Sequence, residues 1–187
     1  MAAGGVVGPI AFVTAWALCG RATPGYSPSQ DAISQLAAIG APTRLAMTLG
    51  FVVFGIGVVA FARPLRQEVS GPTGAAAAVC GLATLGVAAV PLGWVSDGLH
   101  GAFAGIGYVA LTGIPLLASL ELVRRGKRAP AIASVVIAVV CGACLVATTV
   151  ASDHGLFQRI GLSVGDVWLV VSGAALLARP APRRPNG

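Results

Sequence analysis

The chain has 187 residues, of which 56% are hydrophobic and only 10% charged, with a mean hydropathy of +0.87. A soluble domain carries roughly 25% charged residues, so this composition excludes a water-soluble globular protein and leaves no length for a soluble domain beside the apolar segments. The net charge of +6 does not point to nucleic acid, because all twelve Lys and Arg residues fall in loops, at segment ends or in the C-terminal tail.

A transmembrane helix needs about 20 predominantly apolar residues. Six segments qualify, at residues 4–20, 43–62, 74–95, 98–123, 129–151 and 156–178, and they predict a single all-α domain, a polytopic bundle of six transmembrane helices. The first segment lacks a basic n-region and a small-residue cleavage site, so it is read as a retained helix rather than a signal peptide. Between the first and second segments lies the longest loop. Ser27, Pro28 and Gln30 there fit a helix start, with an N-cap serine, proline at the first position and a capping-box glutamine. Ile33, Leu36 and Ala37 fall on one side and Gln30, Asp31, Ser34 and Gln35 on the other, before Gly40 and Pro42 stop the pattern. A short amphipathic interfacial helix over Pro28–Ile39 is expected, either as a lid on the bundle or as the carrier of Asp31 and Ser34 into a pocket.

Only Ser96 and Asp97 separate the third and fourth segments, which reads as a tight hairpin. Asp97 and His100 share a helical face three residues apart; Asp97 either caps the fourth helix or works with His100, and capping does not exclude a second role. Asp153 and His154 precede the sixth segment, and within it Arg159, Ser163 and Asp166 form one stripe. Asp166 stands seven residues beyond Arg159, about 10 Å into the outer half of the bilayer at 1.5 Å per residue. A carboxyl at that depth is costly unless paired or facing a polar cavity, and Arg159 is the cheapest partner.

Nine of the twelve basic residues (Arg63, Arg66, Arg124, Arg125, Lys127, Arg128, Arg179, Arg183 and Arg184) cluster on one side, against Arg21, Arg44 and Arg159 on the other. The positive-inside rule makes the basic side cytoplasmic and places both termini there, with residues 179–187 as a basic cytoplasmic tail. Glu68 and Glu121 fall on that side, where neighbouring arginines can pair with them, while Asp31, Asp97, His100, Asp153 and His154 gather at the opposite face. The four cysteines, Cys19, Cys80, Cys141 and Cys144, lie inside apolar segments and read as packing residues; Cys141 and Cys144 have redox spacing but no βαβ context. The two histidines belong to different loops, so no metal site is expected. No phosphate-binding loop, dinucleotide fingerprint or nucleophile elbow occurs, so no cofactor is expected either.

The string Pro24-Gly25-Tyr26-Ser27, followed by Asp31-Ala-Ile-Ser34-Gln-Leu-Ala37, resembles the hallmark of a membrane family catalogued as domain of unknown function 998. Asp97 with His100 and the run Gly155-Leu156-Phe157-Gln158-Arg159 extend the resemblance over nearly the whole chain. It implies a six-helix bundle in a bacterial inner membrane and brings no established activity. Three function classes remain open. The first is a lipid- or isoprenoid-binding protein, with or without catalysis. Its outward polar pocket would use Asp31, Asp97, His100 and Asp166 as acid–base candidates and Tyr26, Ser34, Arg159 and Ser163 as binding candidates. The second is a small transporter or channel subunit, which the lack of polar residues across the inner half disfavours. The third is an accessory membrane protein without its own chemistry. Membrane lipids are the expected partners, and assembly with itself or with another membrane protein stays open.

Overall fold

Inside hydrocarbon a chain must satisfy its backbone internally, which leaves helices or closed barrels. Each apolar run here is long enough for the helical solution. In the computed structural model, which describes residues 1–179, six α-helices form: α1 (Gly4–Ala22), α2 (Arg44–Glu68), α3 (Gly71–Ala89), α4 (Asp97–Arg124), α5 (Arg128–Val150) and α6 (His154–Leu177). All six are long and apolar enough to cross a membrane, and no strand occurs among the described residues. The chain is an all-α, multi-pass integral membrane protein. Of the expected basic tail, Arg183 and Arg184 lie outside the described residues.

Two boundaries differ most from the hydropathy reading. α2 continues past Ala62 and over Pro64 to Glu68. Proline lacks the N–H that would bond back one turn, yet the helix absorbs it. α3 ends at Ala89, because the residue before a proline is biased away from helical angles and Val90 precedes Pro91. The third and fourth helices are therefore joined by Val90–Ser96 rather than by a two-residue hairpin. The N-cap of α4 is Ser96, whose hydroxyl accepts from Leu99 N at 3.2 Å. Asp97 reaches back instead to accept from Gly93 N at 2.9 Å.

Each helix packs on its neighbours in sequence and α6 closes on α1, so the bundle is a ring of alternating up and down helices. One end, the loop end, carries the α1–α2, α3–α4 and α5–α6 connections. The other, the basic end, carries the short connections after α2 and α4. Small residues set the spacing, as expected where lipid gives no hydrophobic drive for association. At the α2–α3 crossing, a Cβ on Gly55 would meet Gly81 O at 2.9 Å and one on Gly81 would meet Gly55 O at 2.7 Å, so only glycine fits either place. Toward the basic end the ring is filled by Phe61, Leu65, Ile114 and Leu169, all fully or almost fully buried. Leu45, Ile56, Val109, Val136 and Val171 point outward as the lipid-facing surface. At the basic end Arg125 donates to Glu68 O at 2.8 Å, to Val69 O at 2.7 Å and to Glu121 Oε1 at 2.8 Å. Arg179 pairs with the Glu68 carboxylate, so both glutamates meet arginines there.

Candidate functional site

The α1–α2 loop forms the roof of the loop end. Its first turn starts as the sequence suggests: Ser27 O accepts from Gln30 N and from Asp31 N. The side chain that reaches back to Ser27 N is Asp31, at 2.7 Å, rather than Gln30. The turn does not continue as a helix. In an α-helix Pro28 O would accept from Ala32 N; here it accepts from Arg159 Nη1 at 2.5 Å. Asp31 O likewise accepts from Arg159 Nη1, at 2.9 Å. With those carbonyls taken by α6, Ala32 turns extended and only a short 3₁₀ helix, η1 (Ile33–Ala37), follows. Its apolar residues Ile33, Leu36 and Ala37 are buried in the ring. The segment is a plug in the mouth of the bundle, shorter than Pro28–Ile39 and turned inward.

The start of α6 holds this plug through backbone and side chain together. Leu156 N donates to Ser29 O at 2.9 Å, and Gln158 Oε1 accepts from Ile33 N at 2.9 Å. Arg159 also donates to Gly155 O at 2.9 Å and to the Tyr26 hydroxyl, with its guanidinium carbon 5.5 Å from the Trp16 ring centre and 5.3 Å from that of Tyr26. Planar Arg suits this combination of several carbonyls and two aromatic faces. A Cβ on Gly155 would stand 2.5 Å from Asp31 O, so the loop can dock only on glycine there. Tyr26 also donates toward Ala32 O at 3.1 Å. Burial lifts the Tyr26 phenol above its ordinary range; the Arg159 charge and hydrogen bond pull against this rise and Asp31 adds to it.

Beneath the plug lies a cavity of about 70 Å³, room for a few waters or a small ligand group. Ser34 and Gln158 border its upper part, and Phe12, Phe51, Phe54 and Phe103 supply much of its wall. Thr84, Tyr108 and Asp166 border its deeper part. Asp166 is the thirteenth of the 24 residues of α6, about 18 Å along it. It therefore sits at mid-depth rather than in the half nearer the loops. It is 2% exposed, and neither carboxyl oxygen has a hydrogen-bond partner among the described residues. The buried Tyr108 hydroxyl also lacks one. Asp166 additionally borders a groove on the lipid side between α1 and α6, together with Thr14, Ser163 and Val167.

The expected ion pair between Asp166 and Arg159 does not form. Arg159 turns to the loop, where backbone carbonyls lie within reach, and leaves Asp166, about two turns deeper, without a cation among the described residues. The residues read from sequence divide into two groups. Ser34 and Asp166 border the cavity, Ser163 borders the α1–α6 groove, and Tyr26 and Arg159 lock the roof. Asp31, Asp97 and His100 do not border the cavity. Asp31 and Asp97 each hold the backbone of their own segment, while His100, 3% exposed, uses Nδ1 on Val90 O at 2.6 Å. A carbonyl only accepts, so Nδ1 carries the proton. Asp97 is exposed while His100 is buried, and both bond to backbone of the α3–α4 connection, leaving His100 Nε2 without a partner among the described residues. Sequence reasoning missed Tyr108, Thr84 and the lining role of Gln158. The one available signal for Tyr108 was a lone phenol in an otherwise apolar run, since the chain has only two tyrosines.

Fold and site together define a six-helix integral membrane protein in which an interlocked loop roofs a cavity that reaches a buried acid. The chain matches the family described as Protein of unknown function (DUF998) over residues 6–175, and it belongs to that family. No curated protein and no solved structure matches it.

Proposed function

We propose that the protein binds a small amphiphile, or the head of a larger lipid such as an isoprenoid, in the cavity beneath the loop. The observation that carries this reading is Asp166. Both of its carboxyl oxygens stand buried without hydrogen-bond partners among the described residues, beside a cavity walled largely by aromatic and aliphatic side chains. Burying such groups unbonded costs on the order of 1–3 kcal/mol each, and a ligand polar group would offset that cost. The apolar fill of Phe61, Leu65, Ile114 and Leu169 toward the basic end favours a binding pocket over a conducting path, which needs a polar lining throughout. The α1–α6 groove, which shares Asp166 with the cavity, supports entry from the lipid phase.

In this reading the protein sits in a bacterial inner membrane with both termini cytoplasmic and the cavity roofed toward the outside, and membrane lipids are its partners. The test is native mass spectrometry and lipid extraction of the purified protein and of Asp166→Leu. A bound species present in the first and absent from the second supports the reading. The same lipid profile in both, with nothing retained specifically, overturns it.

A further inference from the structure

The composition of the cavity wall selects a charge type as well as a size. Four phenylalanines border it, and Phe12 clusters with Phe51 and Phe54 at ring-centre separations of 5.5 Å and 5.2 Å. Tyr108 adds a fifth ring. Each ring presents a negative face, and faces grouped around a small space attract a cation, most strongly where water is excluded. The ionisable carboxyl on the wall, Asp166, is 2% exposed and has both oxygens free of hydrogen bonds.

Among the described residues, no Lys, Arg or His borders the cavity. Arg159, the nearest candidate by sequence, is committed to the loop carbonyls and held between Trp16 and Tyr26, bordering a separate cleft. An anionic head group would therefore meet a carboxyl and aromatic faces with no positive partner. A neutral alcohol could bond to Asp166 but would leave the aromatic faces with nothing to attract. A protonated amine uses both features at once.

We infer that the cavity takes a small lipophilic amine, whose ammonium group lies against Asp166 inside the aromatic wall. This rests on the ligand-binding reading above and names its chemical class. The cavity of about 70 Å³ suits an ammonium head with the first few carbons behind it, and no bond is made or broken in the step.

The experiment compares three probes of nearly equal shape on the full chain in detergent: phenethylamine, 2-phenylethanol and phenylacetate. Binding is read by titration calorimetry and by the shift in melting temperature. Phenethylamine is expected to bind about tenfold or more tighter than the alcohol, with no phenylacetate binding, as a desolvated cation–π and ion-pair contact implies. In Asp166→Asn, first shown folded by its melting curve, that preference is expected to collapse. An alcohol that binds as well as the amine would overturn the amine class while leaving the ligand-binding reading intact. Silence from all three probes would overturn both. Amine binding unchanged in Asp166→Asn would place the amine elsewhere and overturn the inference. Discrimination among the probes in the unaltered protein tests the idea even if the variant fails to fold.

Discussion

The Arg159 guanidinium faces the Tyr26 ring at 5.3 Å and donates to the hydroxyl of the same residue, so one side chain of α6 grips the α1–α2 loop by face and by edge. The same guanidinium holds Pro28 O and Asp31 O. Removing it would strand part-buried carbonyls as well as a phenol. Arg159→Leu is expected to lower stability by about 2–5 kcal/mol, since hydrogen bonds to charged groups contribute more than neutral ones and their loss leaves acceptors unpaired. Arg159→Lys keeps the charge but not the planar fork and should recover less than half. Thermal unfolding in detergent measures both. Limited proteolysis in the Gly25–Gln30 stretch should become faster in the leucine variant, and unchanged cleavage would refute the clamp.

Gly155 lies directly against the loop backbone. A Cβ there would lie 2.5 Å from Asp31 O and 2.9 Å from Pro28 O. Gly155→Ala should push the loop outward and cost about 1–3 kcal/mol as an overpacking change, although alanine favours helix more than glycine does. Amide hydrogen exchange at Ile33 and Leu156, which depend on this docking, is expected to rise. Protection equal to that of the parent would show that the loop does not rest on this glycine.

Asp166 supplies a prediction opposite to the one its sequence stripe suggests. Paired with Arg159, it would be missed, and Asp166→Leu would destabilise. Unpartnered and 2% exposed, it is instead a destabilising group retained for another purpose. Replacing an unsatisfied buried polar group by an apolar one of similar size is neutral or stabilising. Asp166→Leu is expected to raise the melting temperature of ligand-free protein, by up to about 1–3 kcal/mol of stability, while ligand binding is lost. A clear drop in melting temperature would mean that the carboxyl has a structural partner.

Tyr26 gives a pH signature. Its phenol is raised above the ordinary value of 10.0, chiefly by burial, so the folded protein holds this proton more tightly than the unfolded chain. The stability it confers is complete below the ordinary value and is lost as pH rises through the raised folded one. Melting temperature should fall at strongly alkaline pH, and Tyr26→Phe should flatten that phase at a cost of about 0.5–1.5 kcal/mol at neutral pH. An identical alkaline slope in the variant would assign the loss to another group.

Orientation is open to direct labelling because all four native cysteines are buried. Ser152→Cys in the α5–α6 connection should react with a membrane-impermeant maleimide in intact cells. Lys127→Cys, between α4 and α5, should react only after permeabilisation, following the nine-to-three division of basic residues. The reverse pattern would invert the protein in the membrane.

The six spans are legible from composition and segment length because hydropathy belongs to each segment alone and lipid admits essentially one backbone solution for it. Pro91 marks the end of α3 by local sterics, although the apolar count through Val95 hides it. Glu68 and Glu121 meet arginines at the basic end because helix ends gather charge wherever the chain leaves the membrane. The site is different. Whether Arg159 turns inward to Asp166 or outward to the loop depends on which acceptors lie within reach, and those are carbonyls of a segment more than a hundred residues away in sequence. Helical periodicity places Arg159 and Asp166 on one stripe without weighing that competition. The same distant donors strip the Pro28 turn of its acceptors and shorten the expected interfacial helix to Ile33–Ala37. Tyr108, Thr84 and Asp166 meet only because α3, α4 and α6 close into a ring, and a ring closure between helices is not encoded in the period of any one of them.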